Sequence, residues 1–206
     1  MLANLRLWLP KVQKLRMIDI GCGIAEEADE LLHTGSVTEF VGVDLDETAI
    51  LQAQQRLPSA IFLCADAVDL IDEYSHYFHA VLIRRPDLFA QPAHWKEVFA
   101  VLAQLLRVEG RILVTLIGEA EAALAQKWME EFGLTLLNSE MLPTRSEAYL
   151  LVADLLPAAS EKSDEPGLTI LEPIAGEGMY CDPMTGVCST EDTLMDKRTK
   201  DVSDKS

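Results

Sequence analysis

The residues best suited to chemistry lie in a few short stretches of this 206-residue chain. In Ile18-Asp-Ile-Gly-Cys-Gly-Ile-Ala-Glu26, Gly21, Cys22 and Gly23 directly follow an apolar run that contains the acid Asp19. Glycines at this spacing let the backbone turn sharply and let a ligand approach without Cβ atoms in the way. Asp44 closes Phe40-Val-Gly-Val-Asp44 about twenty residues later, where a carboxylate can accept both hydroxyls of a ribose. Asp66 closes Leu63-Cys-Ala-Asp66, and an acid there can accept from an exocyclic amine such as that of adenine. Taken singly, each has a plainer reading: a tight turn for the glycines, a helix cap or loop residue for the acids. Together, at the ends of three consecutive strands, they describe an adenosine-shaped slot.

Three further groups are candidates for the reacting end: Arg84 and Arg85, Asp87, and His94. Either arginine can clamp a carboxylate or phosphate; the plainer reading is that they neutralise surrounding acids. His94, beside Trp95 at a helix start, reads equally as a cap or a surface residue. His33, His76 and His79 show no metal-binding pattern. Cys181 and Cys188 flank a Pro-Met-Thr-Gly turn that can return both sulfurs to one spot. Zinc ordinarily takes four ligands, so these two with Asp182 would need a partner chain. A reversible disulfide is the other functional option, and two unpaired thiols the plain one.

The elements that must position these groups alternate between short β-type apolar runs and segments of helical period, the pattern of βα units on a mostly parallel sheet. Strands are predicted near 17–20, 40–43, 61–64, 80–83, 112–117, 134–139 and 149–153. The best helical stripe is Trp95, Val98, Phe99, Leu102, Leu105 and Leu106, with Gly110 just past its end. Weaker stripes occur at Ile24, Ala28, Leu31 and Leu32; at Ile50, Ala53 and Leu57; and at Leu124, Trp128 and Phe132, stopped by Gly133. The last two strands have no room for a helix between them and are expected to pair antiparallel across the 143–147 turn.

On these motifs, residues 16 to 156 resemble a class I S-adenosylmethionine-dependent methyltransferase. Asp19-Ile-Gly-Cys-Gly23 is similar to that family's first motif. The resemblance implies that Asp19 orients the loop and contacts the amino-acid end of the cofactor, S-adenosyl-L-methionine, while the backbone from Gly21 to Ala25 lines its path. It further implies Asp44 on the ribose with Leu45 against the adenine, and Asp66 on the adenine amine with Ala67 beside it. The 80–88 segment, including Ile83, would face the transferable methyl. Two departures stand out: Ala25 where a third glycine is common, and Arg84-Arg85-Pro86-Asp87 in place of the Asp/Asn-Pro-Pro-Tyr type sequence of amino-group methylation. Nicotinamide binding is the rival on such a sheet. Its fingerprint would place Glu26, an anion, where helix and strand pack beside a pyrophosphate.

Composition bounds the remainder. Thirty-four acids against seventeen bases give a formal charge of −17, which repels phosphate backbones and anionic lipids and argues against autonomous nucleic-acid binding. A hydrophobic fraction of 49% is ample for a core. No apolar run reaches the roughly 18 residues of a membrane helix, no secretory signal is visible, and four cysteines are too few for a disulfide scaffold. A cytoplasmic location is the expectation. Residues 1–15 are expected to form an N-terminal helical segment, 16–156 the cofactor domain, and 157–206 a flexible acidic tail with eleven acids and five bases. Leu168-Thr-Ile-Leu171 in that tail is a candidate for adding to a sheet edge. The expected whole is an α/β protein with a doubly wound, seven-stranded, mainly parallel sheet ending in an antiparallel hairpin. It is read as a monomer or homodimer acting on a small molecule, with a protein partner through the tail as an option. The alternative is a non-catalytic or cofactor-sensing scaffold on the same fold.

Overall fold

The structure, a computed structural model, describes residues 5–26, 28–32, 37–142 and 148–155, and the backbone of 2–4, 33, 179–181 and 188–190. Two compact units are present, Met1–Glu161 and Lys162–Ser206. In the first, the chain runs α1 (Leu2–Trp8), β1 (Leu15–Ile20), α2 (Ala28–His33), β2 (Val37–Asp44), α3 (Glu47–Arg56) and β3 (Ile61–Cys64). A 3-10 turn (Ala67–Leu70) leads to α4 (Ile71–Tyr74), β4 (Phe78–Arg84), α5 (Pro92–Leu105), β5 (Leu106–Leu116), α6 (Glu119–Glu131), β6 (Leu134–Met141) and β7 (Tyr149–Leu155).

The seven strands form one sheet in the order β3-β2-β1-β4-β5-β7-β6. β1 pairs parallel with both β2 and β4, and the outer pairs β2–β3 and β4–β5 are parallel as well. β7 runs antiparallel to both β5 and β6. Alternate side chains of each central strand go to opposite faces, and both faces are covered, so the strands read as near-continuous apolar runs. Ile18, Ile20, Val81, Ile83, Ile112 and Val114 enter the core that contains Phe99 and Trp128. Met17, Ala80, Leu82 and Leu113 enter the core on the other face with Phe40 and Ile50. Leu5 and Leu9 are buried in that second core, so the N-terminal segment packs onto the domain.

Two local expectations are corrected. α5 ends at Leu105, and Leu106 and Gly110 both belong to β5. Phe78 pairs with Leu106 but Ala80 with Arg111, so residues 107–110 bulge from the ladder, and Glu109 takes a φ of +64°. Gly110 therefore serves this bulge and does not cap the helix. Ile24 lies in the turn before α2 and outside the helix. Gly133 does follow α6 in the left-handed conformation, φ +76°. The 143–147 turn and Leu168–Leu171 lie outside the described residues. In the second unit, β8 (Met179–Cys181) and β9 (Cys188–Thr190) form a two-stranded antiparallel ladder, order that the polar composition around it did not announce.

Candidate functional site

Strand order reverses around β1, with β2 on one side and β4 on the other, and such a switch point leaves a crevice at the carboxyl ends of the strands. The glycine turn sits in that crevice. Gly21 has φ +71°, Gly23 φ +54°, and Ala25 follows at φ +52°. A Cβ at Gly21 would meet the Trp95 ring at 3.7 Å, an ordinary contact, so the left-handed backbone and not crowding calls for glycine. The amides of Gly21 and Cys22 both donate to the Val43 carbonyl, at 2.8 and 3.0 Å, hanging the turn on the end of β2.

Asp44 completes that attachment. Its Oδ2 accepts from the Gly23 amide at 2.8 Å and its Oδ1 from the Asp46 amide at 2.9 Å. A carboxylate offers about four acceptor positions, so two remain for hydroxyls outside the protein. Asp46 caps α3 by accepting from Thr48 and Ala49, fixing the chain just beyond Leu45, which is 61% exposed. Asp66 caps the 3-10 turn, Oδ1 accepting from the Val68 amide at 3.2 Å, and its Oδ2 lies 3.6 Å from His94 Nδ1.

One cavity of about 200 Å³ gathers Gly21, Asp44, Leu45, Asp66 and Ala67, closed on the far side by Gln91, His94, Trp95 and Val98 of α5 and its approach. A second, of about 310 Å³, is lined by residues 21–26 together with Arg84 and Arg85, and the two share Gly21. His94 thus stands with the Asp66 group, away from Arg84 and Arg85. Trp95 and Val98 read in the sequence only as a core stripe, and no local signal marks Gln91 as a wall residue. Trp95 is the informative omission, because an aromatic at the start of the helix after β4 is within reach of the glycine turn.

The fourth-strand residues separate. Arg84 Nη2 donates to Asp19 Oδ2 at 2.9 Å and to the Cys22 carbonyl at 3.5 Å, with side chains only 8% and 1% exposed. Arg84 therefore ties the ends of β1 and β4 to the turn. Arg85 is exposed, with φ +50°, a strained value for a side-chain-bearing residue. Asp87 accepts from the Ala90 amide at 2.9 Å and shapes the approach to α5. Ile83 is fully buried in the core and offers no surface to either cavity. The Cys22 thiol is buried, and burial, with the charges of Asp19 and Asp44 nearby, pushes its pKa far up, so it stays protonated and unreactive.

Residues 17–110 match the family model described as a methyltransferase domain. The order and direction of its strands give the chain the fold of class I S-adenosylmethionine-dependent methyltransferases. Solved structures share its fold. A TehB-like SAM-dependent methyltransferase from Corynebacterium glutamicum is 20% identical, with TM-score 0.61, over 75% of this chain and 86% of that one. The N-methyltransferase NodS from Bradyrhizobium japonicum is 14% identical, with TM-score 0.60, over 74% and 92%. The [4+2]-cyclase SpnF is 15% identical, with TM-score 0.64, over 75% and 80%. No curated protein matches the chain. S-adenosyl-L-methionine would fit the first cavity with its adenosine half: carboxylate acceptors at Asp44 and Asp66, an apolar cover at Leu45, and a side-chain-free approach at Gly21.

Proposed function

We propose that the methyltransferase domain moves a methyl group from S-adenosyl-L-methionine to a small-molecule acceptor. The observation that carries this reading is the convergence of Gly21, Asp44, Leu45 and Asp66 on one cavity at the carboxyl edge of the sheet. In it, Asp44 accepts from the ribose hydroxyls, Asp66 from the adenine amine, with Leu45 and Ala67 against the ring. The turn of Asp19, Gly21, Cys22 and Gly23 carries the amino-acid end past the shared Gly21 into the second cavity. Bound, the cofactor supplies an electrophilic sulfonium methyl. The protein's task is to hold an acceptor atom in line with it and to exclude water. Arg85, exposed in the second cavity, is placed to orient an acidic acceptor. A general base is required only for an acceptor atom still protonated at neutral pH. The net charge of −17 favours a small acceptor over a nucleic acid. No helix among the described residues is long and apolar enough to span a membrane, and a cytoplasmic monomer or homodimer is part of the same proposal.

A second reading, a cofactor-binding scaffold without turnover, is favoured by one observation: Arg84, at the position facing the reacting methyl in the family resemblance, is engaged by Asp19 and Cys22. Calorimetric titration with S-adenosylmethionine and with its demethylated product, followed by incubation of cell extract with methyl-labelled cofactor, separates the two. Binding with label transferred to small molecules supports the enzyme; binding without transfer supports the scaffold. Absence of binding at high micromolar concentration refutes both. Asp44→Ala is expected to weaken binding by about 1 to 3 kcal/mol through loss of the ribose acceptor.

A further inference from the structure

Of the four cysteines, two stand in a geometry that chemistry can use. Cys181 is the last residue of β8 and Cys188 the first of β9, and the two are direct cross-strand partners in the antiparallel ladder. Directly opposed residues of such a ladder share a face and hold their Cα atoms roughly 4.5 or 5.5 Å apart, depending on the hydrogen-bonding type of the pair. Both spacings fall within the roughly 4.4–6.8 Å that a disulfide spans. Only six residues of sequence, 182 to 187, separate the pair, so a bond between them would join the end of β8 to the start of β9. A two-stranded ladder of three residues per strand is marginal in water on its own, which gives a cross-link at this pair a structural consequence.

The other two cysteines are placed differently. Cys22 is buried in the cofactor domain with its thiol held protonated. Cys64 ends β3, exposed, with its thiol 3.7 Å from the Leu45 carbonyl.

We propose that Cys181 and Cys188 form a reversible intramolecular disulfide by exchange with a small disulfide of the glutathione type. One thiolate attacks the small disulfide and releases one small thiol, leaving a mixed disulfide on the protein. The second thiolate attacks the protein sulfur of that mixed disulfide and releases the other small thiol. Two protein thiols and one small disulfide thus become one protein disulfide and two small thiols, and the electrons balance.

The test uses the full-length protein, fully reduced, freed of reductant, incubated with oxidised glutathione, alkylated and digested with trypsin without reduction. Trypsin leaves both cysteines on one peptide, Ser163 to Lys197. That peptide is expected to be about 2 Da lighter than its dithiol form and unalkylated, and dithiothreitol should restore two alkylation sites. In Cys188→Ser, Cys181 should instead retain glutathione, because the resolving thiol is gone. Alkylation of both cysteines, glutathione held on both, or a cross-link to Cys64 or to a second chain would overturn the proposal. Protection of both thiols by one zinc ion per chain without loss of hydrogen would overturn it equally.

Discussion

Replacing Arg84 by Met tests whether this side chain is a structural brace or a group that meets substrate. The guanidinium lies 2.9 Å from the Asp19 carboxylate, and the two side chains are 8% and 1% exposed. Removing one partner of a buried pair leaves a charge in low dielectric, at a cost of roughly 3 to 5 kcal/mol. For a compact unit of this size, each kcal/mol lowers the melting temperature by about 2 to 4 °C. Arg84→Met is therefore expected to melt about 6 to 20 °C below the parent. Asp19→Asn combined with Arg84→Met should recover part of that loss, because the stranded charge is gone. Calorimetry of the three proteins, with cofactor affinity measured below each transition, separates the roles. A brace predicts a lower melting temperature together with weakened cofactor binding, since Arg84 also holds the Cys22 carbonyl. A melting temperature within about 2 °C of the parent, with turnover alone reduced, would refute the brace and make Arg84 a substrate contact.

Three further outcomes follow from other parts of the fold. Gly42→Ala places a Cβ 2.5 Å from the Phe62 ring and 2.9 Å from the Cys22 sulfur, and urea unfolding should show a loss of about 1 to 3 kcal/mol. His79 has its pKa lowered by burial first and by Arg16 and Arg107 next, while its Nδ1 accepts from the Arg16 amide. The folded state thus binds fewer protons here than the unfolded state, whose reference pKa is 6.5. This contribution to stability is present above that value and lost as pH falls through and below it. A scan of melting temperature against pH should show His79→Gln flattening the decline; parallel curves would refute the assignment. Asp66→Ala should lower affinity for S-adenosylmethionine about tenfold, on the order of one hydrogen bond, in the calorimetric titration already described.

The fold was legible because both sheet faces are covered, so each parallel strand announced itself as an apolar run between helical stripes. Gly21, Gly23, Asp44 and Asp66 were legible for a related reason: their positions follow from strand ends, and strand ends are visible in sequence. The roles of Arg84 and His94 were not. Arg84 reaches Asp19 across 65 positions of chain, and His94 meets Asp66 only because α5 folds back over the edge of the sheet. Local pattern carries no record of such meetings. The bulge at 107–110 was hidden by the apolar Leu106, which continues the stripe of α5 as readily as it begins β5. Its left-handed Glu109 is the kind of exception that local propensity reads as a helix end.

The two outermost strands bear on how the protein behaves at high concentration. An exposed strand edge is a template for pairing with another molecule, and folds blunt such edges by shortness, charge and bulges. Here β3 has four residues, too short a platform for a stable intermolecular ladder. β6 is longer, but its pairing with β7 slips between Leu136 and Asn138, and it carries Glu140 near its end. Shortness at β3, and the slipped register and Glu140 at β6, are features that disfavour growth into a continuous intermolecular sheet, and they act alongside the repulsion of the net charge.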